Sequence, residues 1–157
     1  MISIGLGYDC HRFAARRPLV LGGVRVPHDH GLEGHSDADV LTHAIIDALL
    51  GAAALGDIGH HFPDTDERYR GADSLELLRA TVAMLAELGC SVAHVDATVV
   101  IERPAISPHR DEMRRNLADA IGIDCGRVNV KATRGEGMGF VGRQEGAAAL
   151  AVATVER

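Results

Sequence analysis

Asp9 and His11 stand two residues apart near the start of the chain, in a stretch that reads as extended. Alternate residues of an extended chain share a side, so the two can point together while Cys10 points away. His43 lies in a helical pattern, one turn after Asp39 and one turn before Asp47, which puts the three on one polar stripe. One carboxylate and two imidazoles form a ligand set suited to Zn²⁺, with a fourth position open for substrate. An open position marks a catalytic metal rather than a structural one. Spacing alone leaves a plainer reading open, in which His43 is a partly buried histidine and Asp9 caps a turn. The chain has nine histidines, and His28-Asp29-His30 is a rival cluster. Pro27 and Gly31 bracket it, which favours a surface turn.

Two further segments carry chemistry by type. Gly34-His35-Ser36-Asp37-Ala38-Asp39 precedes a helix, where free backbone N–H groups and the helix dipole suit an anion, with His35 beside it. Simple capping accounts for the same residues and is compatible with that role. Gly135-x-Gly137-x-Gly139 has the look of a dinucleotide-binding turn, but that fingerprint must open a helix inside a βαβ unit. Only fifteen residues follow Gly142, so we reject it.

The elements that must position these residues are legible from periodicity. Residues 2–8 are strand-prone, and Leu19 to Pro27 reads as a hairpin turning at Gly22-Gly23. Helices are expected over about 37–55, 74–88 and 107–122, the first opened by Ser36-x-x-Asp39 and the second by Asp73. Pro108 suits the first turn of the third helix, and glycines 56, 89 and 122 suit the ends. Residues 56–66 read as a polar loop. Strands are expected over 92–101 and 127–132. The final run 147–155 is ambiguous, with Val152 and Val155 favouring strand. The order implies an α+β fold, a mixed sheet with helices packed on one face.

Length and composition bound the rest. The 157 residues fit one domain, 1–157, and 46% hydrophobic content supports a real core. With 3% aromatics and no Trp, that core must be Ala, Val, Leu and Ile. The small residues near the C-terminus imply packing against something flat and close, such as another subunit. A net charge of -6 argues against non-specific nucleic-acid binding, though a bound metal can still neutralise a phosphorylated substrate. Cys10, Cys90 and Cys125 form no CxxC pair and read as reduced thiols of a cytoplasmic protein. There is no secretion signal at the start and no apolar run of about 18 residues to span a membrane.

Blocks of residues in order along nearly the whole chain resemble the cyclodiphosphate synthases of the non-mevalonate isoprenoid pathway. They are Gly7-Tyr8-Asp9-x-His11, Leu21-Gly22-Gly23, His35-Ser36-Asp37-x-Asp39-Val40, Asp47 to Ala53, Gly56 to Gly59, Phe62 to Asp66, Gly71 to Ser74, Val128 to Thr133 and Gly139-Phe140-x-Gly142-Arg143. The resemblance implies that 4-diphosphocytidyl-2-C-methylerythritol 2-phosphate becomes the 2,4-cyclodiphosphate with release of CMP. It implies zinc on Asp9, His11 and His43, and a second ion, Mg²⁺ or Mn²⁺, near Glu136. It also implies phosphate contacts from His35 and Ser36, and sugar contacts from Asp57, Ile58, Gly59 and the loop Phe62-Pro63-Asp64-Thr65-Asp66. A cytosine pocket would form around Pro104 and Ala105 of a neighbouring subunit. The assembly would be a homotrimer with a central cavity near Phe140 and Arg143. Two departures qualify the match. Arg134 follows Thr133 where the family usually has a second Thr, and Ala105 replaces a usual Lys. We expect Arg134 to take over the phosphate contact of the missing hydroxyl, which makes His35 and Arg134 the catalytic candidates. Two other activities compete: a catalytically weakened trimeric protein that binds an isoprenoid diphosphate, and a metal-dependent phosphate hydrolase.

Overall fold

The computed structural model describes residues 1–157. Strand β1 covers Ile2–Ala15, longer than its apolar start suggests, so Asp9 and His11 lie within the strand. Two short strands, β2 (Leu19–Leu21) and β3 (Val24–Val26), form the expected hairpin, and Gly22 and Gly23 both take positive φ, 56° and 71°. That pairing is the two-residue turn whose twist matches a hairpin. Strand β4 is His30–Leu32, so the 28–30 segment runs into a strand.

Helix α1 spans Val40–Ala52 and starts later than periodicity suggests, because Asp39 is its N-cap and residues 36–38 belong to the preceding loop. The expected 56–66 loop contains a single helical turn, α2 (Ile58–His61), capped by Asp57. Helix α3 (Ser74–Glu87) is capped by Asp73. Strand β5 is Ser91–Val100, and α4 runs over Arg110–Ile121 after a 3₁₀ turn at Ser107–His109 that holds Pro108. Gly122 ends α4 in the left-handed conformation, φ 81°. Strand β6 (Val128–Thr133), the short α5 (Gly139–Gly142) and β7 (Gly146–Glu156) complete the chain. The last run is therefore a strand.

The main sheet has the order β4-β1-β7-β5-β6, with β5 and β6 parallel and the other neighbours antiparallel. This is the mixed sheet expected. The core is one cluster of 35 buried residues, and its fully buried large side chains are nearly all Leu and Ile from α1, α3 and the hairpin.

The sheet meets α1 at very short range. A Cβ on Gly5 would lie 1.9 Å from the Ala48 carbonyl oxygen, and one on Gly7 would lie 1.8 Å from that of Ala44. Beside them on β7, Ala147, Ala149, Ala151 and Ala153 are all buried. The small C-terminal residues thus receive the chain's own helix, not another subunit, and it is Leu150 and Val152 between them that face outward, each 41% exposed.

Asp39 ties α1 to the hairpin. Its fully buried carboxylate accepts from Gly22 N (2.9 Å), Gly23 N (2.8 Å), Thr42 N (3.0 Å) and Thr42 Oγ1 (2.8 Å). Burial and the neighbouring Asp37 push its carboxyl up, against the pull of these donors.

Gly7→Ala should force α1 off β1. We expect a loss of about 3 kcal/mol in denaturant unfolding, together with loss of metal binding. Gly51→Ala in the same helix is the control. Its new Cβ would have nothing nearer than 4.0 Å, so stability should rise by about 0.5–1 kcal/mol.

Candidate metal centre and flanking clefts

Strand β1 and helix α1 bring three ligand atoms together. Asp9 Oδ2 lies 2.8 Å from His11 Nε2 and 3.1 Å from His43 Nδ1, and the two imidazole nitrogens are 3.3 Å apart. The far nitrogen of each ring has its own partner: His11 Nδ1 donates to the Glu33 carbonyl at 2.7 Å, and His43 Nε2 sits 2.8 Å from Ser74 Oγ. The near nitrogens are thereby turned, as acceptors, toward one carboxylate. Three acceptors this close need a shared cation, either a proton on His11 or a metal ion. The charge balance follows that logic. Burial alone would raise the Asp9 carboxyl, yet hydrogen bonds and charge from His11 and His43 hold it at about 2. Burial would lower His11, and Asp9 pushes it up instead. One oxygen and two nitrogens with satisfied outer partners fit a divalent-metal site.

Of the expected polar stripe on α1, only His43 enters the cluster. Asp39 is buried under the hairpin, and Asp47 accepts from Ile58 N at 2.8 Å, fixing the start of α2. The segment leading into α1 is capped from within the chain. The amides of Ala38, Asp39 and Thr42 are taken by Ser36 Oγ, Asp37 Oδ1 and Asp39 Oδ1. His35 and Ser36 lie in the segment just before α1. Arg17 fixes that segment by donating to the carbonyls of Gly34 and Ser36, both at 2.9 Å, on either side of His35. His35 Nε2 donates to the Asp66 carbonyl at 2.8 Å.

The cluster opens into a cavity of about 460 Å³ lined by Asp9, His11, His35, Ser36, His43, Ile58, Gly59, Phe62 and Asp64. Gly34, Tyr69 and Leu77 also line it and were not expected. Tyr69 packs edge-on to Phe62, with ring centroids 5.4 Å apart, and a sequence pattern gives no hint of that contact. Asp57, Pro63, Thr65 and Asp66 do not line the cavity. Asp57 Oδ1 caps α2 by accepting from His60 N at 2.9 Å, and the Asp66 carboxylate is gripped by Arg68 at 2.6 Å.

A separate cavity of about 760 Å³ holds Glu102, Arg103, Pro104 and Ala105, together with Thr133, Arg134 and Gln144. His28 and Asp29 also line it, so part of the segment read as a surface turn reaches this cleft. Glu102 accepts from Gly135 N at 2.9 Å and ties the glycine-rich loop to the 101–107 connection. The two cavities share no residue. Glu136, Phe140 and Arg143 join neither. Glu136 is exposed with φ 52°, Phe140 lines a small cavity of about 200 Å³ with Cys10 and Arg12, and Arg143 pairs with Glu145 at 3.2 Å.

A family model described as the YgbB family matches residues 2–156. The chain is 60% identical over 155 residues to the 2-C-methyl-D-erythritol 2,4-cyclodiphosphate synthase of Salinibacter ruber, covering 99% of each chain. Its fold is similar to that of the bifunctional IspDF from Campylobacter jejuni, with a TM-score of 0.95 and 42% identity over 99% of this chain and 42% of that longer one. It is also similar to a CDP complex of IspF from Plasmodium falciparum, with a TM-score of 0.86 and 29% identity over 98% and 95% of the two chains.

Proposed function

The chain belongs to the YgbB family, and from that membership we propose that it is an enzyme making 2-C-methyl-D-erythritol 2,4-cyclodiphosphate. The substrate is 4-diphosphocytidyl-2-C-methyl-D-erythritol 2-phosphate, and the second product is CMP. The observation that carries the reading is the Asp9–His11–His43 cluster at the mouth of a cavity lined by His35 and Ser36.

The reaction is an internal phosphoryl transfer. An oxygen of the 2-phosphate forms a bond to the β-phosphorus. The bond from that phosphorus to the oxygen bridging it to the α-phosphate breaks, and CMP leaves with the bridging oxygen. Such a step depends on placement and charge stabilisation rather than on extensive proton transfer. Asp9, His11 and His43 would hold zinc and Glu136 would lie near a second ion, Mg²⁺ or Mn²⁺, and the two would supply positive charge against the diphosphate. His35 and Ser36 hold phosphate oxygens, and their position is set by Arg17 and by the Asp66 carbonyl. Ile58, Gly59 and the 62–66 loop enclose the erythritol, and Asp57 offers its second carboxylate oxygen to a sugar hydroxyl. Pro104, Ala105 and Thr133 frame the cytidine cleft, beside Arg134 for the phosphates.

We further propose that the enzyme is a homotrimer whose sites each join the metal cavity of one chain to the cytidine cleft of the next. Two observations support this. The cavities are separate within one chain, and the outer sheet face exposes Ile4, Leu6 and Tyr8 at 70%, 68% and 52%. A contiguous apolar face of that kind marks an association surface. Phe140 and Arg143 would then border the central cavity. No helix is long and apolar enough to cross a membrane, and the three thiols are free, which fits a cytoplasmic enzyme. A non-catalytic binder is not favoured, because a relative 60% identical over 99% of both chains is named as the synthase.

A single-turnover assay should yield the cyclic diphosphate and CMP. No reaction would leave the binding protein, and inorganic phosphate would indicate a hydrolase. His43→Ala should lose zinc and activity together, and full zinc content in that variant would sink the metal assignment.

In sedimentation the chain should run at three times its 16.6 kDa mass. Leu6→Glu, on the exposed strand face, should shift it to the monomer and lower activity in parallel. A fully active monomer would refute the shared site.

Arg134 donates a charge-assisted hydrogen bond to a phosphate in this reading, worth roughly 1.5–3 kcal/mol. Arg134→Ala should therefore slow turnover by about 10- to 150-fold, and Arg134→Thr should recover most of the rate. Equal rates for wild type and Arg134→Ala would remove the arginine from the chemistry.

A further inference from the structure

His43 can bind a metal through Nδ1 only if its proton sits on Nε2, and a chain of hydrogen-bonded groups behind the ring bears on that choice. Nε2 lies 2.8 Å from Ser74 Oγ, and the Ser74 hydroxyl in turn donates to Asp37 Oδ1 in a short hydrogen bond. Asp37 Oδ1 also accepts from Asp39 N at 3.1 Å, and Oδ2 accepts from Ser74 N at 3.0 Å. Ser74 is fully buried at the first position of α3, and His43 is 8% exposed. Two backbone bonds hold the pair of segments together: Asp37 N to the Ala72 carbonyl at 3.1 Å and Gly71 N to the His35 carbonyl at 2.8 Å.

The direction of this chain is fixed from its far end. An ionised carboxylate only accepts, so the Ser74 proton must point to Asp37. The hydroxyl then has only lone pairs left for His43, and the imidazole must supply the proton from Nε2. Nδ1 is left as a lone pair aimed at Asp9 and His11. Ser36 Oγ, at 3.2 Å from Nε2, is the longer and secondary contact. We propose that Asp37 and Ser74 are positioning residues that set the tautomer of His43, and through it the zinc affinity of the site. Neither touches substrate or metal in this assignment. It rests on the metal reading above, and it adds a dependence of the site on the docking of α3.

The test has two arms. Long-range ¹H–¹⁵N spectra of the metal-free wild-type chain, at a pH where His11 carries the shared proton and His43 is neutral, should show His43 as the Nε2–H tautomer. Chelator competition should then show zinc binding weakened about 10- to 100-fold in Ser74→Ala. Asp37→Asn should weaken zinc similarly, because an amide can donate to Ser74 Oγ, turn that hydroxyl toward His43 and move the ring proton to Nδ1. An Nδ1–H tautomer in the wild type would overturn the proposal whether or not either variant folds. So would zinc affinity within twofold of wild type in folded Ser74→Ala. A wild-type chain that binds no zinc would instead overturn the metal reading itself.

Discussion

The backbones of β1 and α1 touch with no side chain between them, and the site depends on that contact. Gly5 and Gly7 leave the helix carbonyls of Ala48 and Ala44 within what would be Cβ distance. Asp9 follows Gly7 by two residues, and His43 precedes Ala44 by one. The Asp9–His43 separation is therefore fixed by backbone packing rather than by side-chain reach. The register with β7 extends the flat floor: Gly5, Gly7, Asp9 and His11 stand opposite Ala153, Ala151, Ala149 and Ala147. A well-packed contact of this kind cannot relax to admit even one methyl group without cost.

Electrostatics near the cluster obeys a complementary rule. Asp37, Asp39 and Asp47 all lie close in sequence to His43, yet each is occupied by donors pointing away from the metal position: Ser74, the hairpin amides and Ile58 N. Only Asp9 is left to face the histidines. A buried carboxylate without donors is expensive, so these bonds do two things at once. They stabilise α1, α2 and α3 at their starting turns, and they keep surplus negative charge from competing for the shared cation. Capping and site construction are the same interactions here.

This explains what could be read from the sequence and what could not. The metal triplet was legible because period-two and helical spacing restrict where Asp9, His11 and His43 can point. The helices were legible because Leu41, Ile45, Leu49 and their counterparts in α3 and α4 repeat at helical spacing. The Asp39–His43–Asp47 stripe misled, because a periodicity argument gives the face of a helix but not which partners arrive from elsewhere. Asp39 was claimed by a hairpin sixteen residues upstream. At the helix end Ser36, Asp37 and Asp39 are all good caps, and they take the amides of Ala38, Asp39 and Thr42. Tyr69 and Leu77 entered the cavity through tertiary packing that leaves no local signature. The alanine run of β7 was read correctly as facing something flat, but the sequence could not say that the flat partner was α1.

The outer face of the same sheet supplies the remaining step. In an isolated sheet covered on one side, large apolar residues face in and polar ones face out. Here β1 and β7 reverse the rule, with Gly and Ala inward and Ile4, Leu6, Tyr8, Leu150 and Val152 outward. The inward half is explained by the close approach of α1. The outward half calls for a cover that the chain itself does not provide. Across the sheet the face changes character: Asp96 stands opposite Val152, and its carboxylate holds Asn129 and Lys131 of β6 at 2.9 and 2.6 Å. The glycine-alanine floor that brings Asp9 to His43 is thus the inner side of a sheet whose outer side stays apolar and uncovered in the single chain.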